Sequence, residues 1–162
     1  MSRGRPPVIR HKRQGNAMFR NPVWGMAPKP LLELELAERS STAAVLDGKG
    51  TVAELEVLQG SALSAVLALR LCVDGTVPHQ VEPAALKESL GLAEDRARAV
   101  LSMVRRYMDT GNVGCSGEER AQIALLTDEI QNLRKVLPRR AWMEATSRMV
   151  AGVQVVIPGA AL

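Results

Sequence analysis

Apolar residues recur three or four positions apart over most of this chain from residue 31 onward, which is the spacing of one face of an α-helix. The cleanest run is Ile123, Leu126, Ile130, Leu133 and Leu137. It follows Ser116-x-x-Glu119, a capping box that satisfies open N–H groups at a helix start. A second capping box, Thr51-x-x-Glu54, opens a helix carrying Val52, Leu55, Leu58, Ala62, Val66, Leu69 and Val73. From Ala62 on, that helix is apolar nearly all round, which marks it as the central one. Pro83 starts another, with Leu86, Leu90, Ala93, Ala97, Leu101, Val104 and Met108 in phase across Gly91. Pro138 ends the Ile123–Leu137 stripe. A last helix then carries Trp142, Ala145, Met149 and Val153 and is expected to fold back over it. Residues 31–46 follow Pro30, a good first-turn residue. Leu32, Leu34 and Leu36 alternate there as in a strand, but one isolated strand has no partner, so a helix is expected.

These elements predict an all-α fold, a compact bundle of about five helices joined by short loops. Residues 31–153 form the bundle, residues 1–30 an extended arm rich in Pro and Gly, and residues 154–162 a C-terminal tail. At 162 residues, 46% of them apolar, the chain can bury a core without disulfides or metal. Trp24, Trp142, Tyr107 and Phe19 are its only aromatics, so Leu, Val, Ala and Met fill that core.

Charge changes the picture. Residues 1–30 hold seven Lys/Arg (Arg3, Arg5, Arg10, Lys12, Arg13, Arg20, Lys29) and no Asp or Glu. The other 14 basic groups face all 17 acidic ones, so the arm is near +7 and the body near −3. An end-loaded charge of this kind belongs to a tail that meets a polyanion, nucleic acid foremost.

Arg3-Gly4-Arg5-Pro6 resembles the core of an AT-hook. The resemblance implies that Gly4 lets the backbone approach the floor of an A·T-rich minor groove while Arg3 and Arg5 spread along it. Arg10, Lys12 and Arg13 would then rest on phosphates. Leu86 to Val100 admits two readings. One is a helix-turn-helix with Gly91 at the turn, burying Leu86, Leu90, Leu92, Ala97 and Val100, with Arg96, Arg98, Arg105 and Arg106 offsetting Glu94 and Asp95. The other is a single long helix through Gly91. The Ile123–Leu137 stripe likewise is either a core face or a dimer seam. The layout as a whole is similar to small all-helical proteins of bacterial plasmids and prophages. Arg20-Asn21-Pro22, the Gly48-Lys49-Gly50 before one helix and the Gly117-Glu118-Glu119 at another carry that resemblance. It implies an accessory protein of a mobile element.

Several classes are disfavoured. His11 and His79 have no partner at metal-ligand spacing, so no metal or other cofactor is expected. No nucleophile–base set and no Gly-rich phosphate loop occurs, so an enzyme is not expected. Cys72 sits in an apolar run as a buried hydrophobe and Cys115 in a Gly-rich connector, and a reduced, cytoplasmic setting is expected. The apolar stretch from Ala62 to Val73 contains Arg70 and is about a dozen residues long, short for a membrane span, so no membrane is expected. The sequence thus predicts a non-catalytic nucleic-acid-binding accessory protein, with DNA as partner through Arg3, Gly4, Arg5, Arg10, Lys12 and Arg13. The competing expectation is a helical module that binds a phage, plasmid or host protein.

Overall fold

The structure, a computed structural model, describes residues 28–160. Five helices follow one another: α1 Pro28–Leu46, α2 Val52–Val73, α3 Pro83–Thr110, α4 Gly117–Val136 and α5 Arg139–Val150. No strand forms among the described residues. Both capping boxes are in place. Glu54 accepts from Thr51 N–H at 2.8 Å, and Glu119 accepts from Ser116 N–H at 2.7 Å. α3 carries Pro83 in its first turn, and the Glu82 carboxylate accepts from Ala84 N–H at 2.6 Å. Gly111 ends it at φ 73°, a left-handed conformation that suits glycine.

α2 is the hub. It packs against α1, α3, α4 and α5, while α1 and α3 also pack on α4. Leu55, Leu58, Val66, Leu69 and Leu71 are essentially without solvent contact. Over its 22 residues α2 reaches a mean hydropathy of 1.5, long and apolar enough to cross a membrane by length and composition alone. The apolar stretch read from Ala62 is the second half of this helix. Its neighbours, however, bury 61% of its most apolar 18-residue stretch, the condition of a helix at the centre of a bundle.

The stripe Ile123, Leu126, Ile130, Leu133 and Leu137 is buried within the chain, as a core face. α1 begins at Pro28, with Pro30 inside its first turn. Its buried positions are Leu34, Glu38, Ser41, Thr42 and Val45, at helical period, while Leu32 and Leu36 point outward and are more than half exposed. The strand-like alternation was therefore two outward leucines flanking one inward. One open reading is settled and two expectations need correction. α3 is one unbroken helix through Gly91, so no helix-turn-helix forms, and Leu92, which that motif would bury, is exposed. Gly91 has open space where a side chain would sit, so nothing forces a turn there. α5 packs on α2 instead of lying over the α4 stripe, and it ends before Val153, which is exposed. The segment after α5 returns to the body, with Ile157 buried and Arg98 donating to the Pro158 carbonyl at 2.8 Å.

Candidate functional site

A surface for a polyanion needs cations that the fold itself does not neutralise. Seven body arginines meet carboxylates: Arg39, Arg70, Arg96, Arg98, Arg106, Arg134 and Arg148. Three of the four arginines of α3, Arg96, Arg98 and Arg106, turn toward α4 and the returning tail, while Arg105 is exposed. Arg96 is buried, with Nε 2.6 Å from a Glu129 oxygen as a charge contact and Nη1 donating to Gln122 at 2.6 Å. Burial lifts the Glu129 carboxyl above its ordinary pKa, outweighing the pull of Arg96. Arg98 pairs with Asp95 on its own helix. Arg106 forks onto both oxygens of Glu119 at 2.7 and 2.9 Å and also donates to Gly114 O at 2.6 Å.

Glu119 is the centre of a knot. Besides Arg106 and the Ser116 N–H, it accepts from the Ser102 hydroxyl at 2.6 Å. Burial pushes its carboxyl up, but Arg106, Ser102 and Ser116 together hold it down to about 2. A second knot joins α1, α2 and α4. Glu38 and Arg134, whose side chains are 1% and 6% exposed, form a two-pronged pair, and Ser61 of α2 donates to Glu38 at 2.6 Å. The Arg134 guanidinium also lies 5.7 Å from the centre of the Trp142 ring, tying α5 to the same point. Thr42 and Thr127 share a hydroxyl hydrogen bond at 2.7 Å one turn further along.

A cleft of about 490 Å³ opens between α3 and α4, lined by Asp95, Arg98, Ser102, Ser116, Glu118 and Glu119 among others. Its serines and carboxylates look like reactive groups, but their bonding limits them. A carboxylate held near pKa 2 by a guanidinium is too weak a base to draw the proton from Ser102 near neutrality. Among the described residues no three His, Cys, Asp or Glu side chains gather as a metal site would require.

The arm residues Arg3, Gly4, Arg5, Arg10, Lys12 and Arg13 lie outside the described residues. What the structure adds is where that arm joins the body. α1 and α4 run antiparallel: Glu38 faces Arg134, Thr42 faces Thr127, and the Leu46 carbonyl accepts from Arg120. Pro28 is therefore at the end of the bundle where α4 stops and α5 begins. That corner holds Lys135, Arg139 and Arg140, all exposed. Sequence reading passed over them, although one signal was present. Two arginines open α5 with no acidic residue in its first turn, the reverse of what a helix dipole favours. No family model matches this chain, and no curated protein or solved structure matches it.

Proposed function

We propose that the protein binds nucleic acid, DNA foremost, through its basic N-terminal arm and performs no chemistry on it. The observation that carries this reading is the division of charge. The first thirty residues hold seven cations and no acid, whereas the rest holds 14 cations against 17 acids. Half of those 14 cations are tied to carboxylates among the described residues. An arm of this charge gains affinity by releasing counterions from phosphates, independently of sequence. Arg3, Gly4 and Arg5 would add an A·T preference in the minor groove, with Arg10, Lys12 and Arg13 on the flanking phosphates. An accessory role in a plasmid or prophage suits a small binding protein without catalytic groups.

Leu32 and Leu36 favour a second reading, a helical module for a protein partner. They lie one turn apart on α1 and are both more than half exposed. Salt separates the two, because phosphate neutralisation is strongly salt-dependent and an apolar interface is not. Deleting residues 1–20 removes six cations and none of α1. The full chain should bind an A·T-rich duplex with a log–log salt slope of about −4 to −5. The truncated chain should lose most of that affinity while keeping its helical circular dichroism. Equal binding by both would remove the arm from the mechanism.

A further inference from the structure

Once the body's own ion pairs are formed, the remaining positive charge is unevenly placed. From Ile130 to Met143 the chain holds Arg134, Lys135, Arg139 and Arg140 and no acid. Arg134 turns inward to Glu38. Lys135 and Arg140 are exposed, and neither makes an ion pair or hydrogen bond among the described residues. Arg139, also exposed, lies between them at the α4–α5 corner.

The local structure concentrates that charge. A helix start is the positive end of the backbone dipole, and acids normally occupy it, as Glu118 and Glu119 do at the start of α4. α5 does the opposite, with Arg139 and Arg140 in its first turn and Pro138 before them offering no side-chain cap. The arrangement works against folding and in favour of an anion. Beside the corner is a shallow cleft of about 530 Å³, lined by Pro78, His79 and Gln80 on one side and Val136, Leu137 and Pro138 on the other. The enclosed Nδ1 of His79 has no hydrogen-bond partner there.

Position supplies the rest. Ten residues of α1 separate Glu38 from Pro28, about 15 Å along the axis in the direction in which α4 ends. α4 itself ends two residues past Arg134, so the six cations that precede Pro28 join the body at this end of the bundle, further out along α1 than the corner. Acids also stand at that end: Glu33 and Glu35 on the opening turns of α1, and Asp74 and Glu82 on the loop that lines the cleft, the latter two each turned onto backbone N–H groups of its own segment.

We propose that Lys135 and Arg140 form the body half of a DNA-binding surface, gripping the sugar–phosphate backbone beside the groove that the arm enters. This rests on the arm reading above, and the experiment tests the two separately. Fluorescence anisotropy with an A·T-rich duplex, over a range of salt, would compare three full-length proteins: wild type, Lys135→Gln/Arg140→Gln, and Arg3→Gln/Arg5→Gln/Arg10→Gln. Arg139 is kept in the corner variant so that its own contacts are undisturbed. Two lost phosphate contacts should reduce the salt slope by about 2, with affinity falling about tenfold or more and the melting temperature unchanged. A corner variant with the wild-type slope, beside an arm variant that has lost binding, overturns the corner and leaves the arm reading standing. An arm variant that binds like wild type overturns the arm reading and with it the shared surface. Absence of DNA binding by the wild-type protein overturns both.

Discussion

Arg134 and Lys135 are neighbours in sequence and use their charge in opposite ways. Arg134 is buried against Glu38, with Ser61 and the Trp142 ring around it. Lys135 faces solvent beside Arg139 and Arg140. The same contrast runs through the body. Arg96 and Arg106 of α3 are absorbed into α4, where they hold two helices in register, whereas the α4–α5 corner leaves its cations facing outward. Counting cations along a sequence therefore overstates what a partner can reach. The inward set specifies the fold, and the outward set is what can meet an anion.

The sharpest way to break the inward half is to remove one partner of its most buried pair. Glu38→Ala leaves Arg134 charged and desolvated with the Glu38 carboxylate gone, and takes the acceptor from Ser61 as well. Breaking a pair buried this deeply costs about 3–5 kcal/mol. The expected result is a large drop in the denaturant midpoint by chemical unfolding, with an unchanged slope. Glu38→Met/Arg134→Met should recover much of the loss, because it removes both charges and keeps the volume. A Glu38→Ala protein within about 1 kcal/mol of wild type would mean that the pair is solvated and that inward and outward cations differ little.

Acid tests the other inward knot. The Glu119 carboxyl is held at about 2, below the ordinary value of 4.5. A depressed folded-state pKa contributes stability that is fully present above pH 4.5 and is lost as pH falls toward 2. The size is on the order of 3 kcal/mol. Glu129 acts in the opposite sense, since burial raises its pKa and its protonation in acid relieves a desolvated charge. Stability measured from neutral pH down through this window should therefore fall in wild type. Glu119→Gln should be less stable at neutral pH and show a flatter acid limb. An unchanged limb would move the acid sensitivity to other carboxylates.

Much of this architecture was legible because its signals are local. Ser116-x-x-Glu119 and Thr51-x-x-Glu54 announced two helix starts, and the spacing of Ile123 to Leu137 announced a buried face. The pairing of charges was not legible, because it depends on how helices pack. Glu38 and Arg134 are 96 positions apart, and nothing along the chain says that α1 and α4 run antiparallel. Only the helix-turn-helix reading turned the arginines of α3 toward a partner, and the pairing of Arg96 and Arg106 with α4 was hidden for the same reason. Ile157 was missed because three apolar residues ahead of Pro158-Gly159 show no period, yet the chain returns and Arg98 holds the Pro158 carbonyl. The corner cations were missed because attention went to the densest run of charge, the arm. The misplaced arginines at the start of α5 were the available clue.

The smallest expected effect bears on why Arg96 and Arg106 of α3 turn inward at all. In a helix-turn-helix centred on Gly91 they would ride on a second, outward helix; in one straight helix Arg96 and Arg106 are carried onto Glu129 and Glu119. Gly91 decides between these without touching any charge. It lies mid-helix in α3, and a Cβ added there would have nothing within 4 Å. Gly91→Ala therefore adds no clash, reduces the freedom of the unfolded chain and raises helix propensity. Stability should increase by about 0.5–1 kcal/mol, read as a small rise in melting temperature. A turn at Gly91 would reverse the sign, because alanine there would straighten a bend the fold needs. A destabilised Gly91→Ala protein would mean that α3 is two helices, and that Arg96 and Arg98 belong with the cations that face outward.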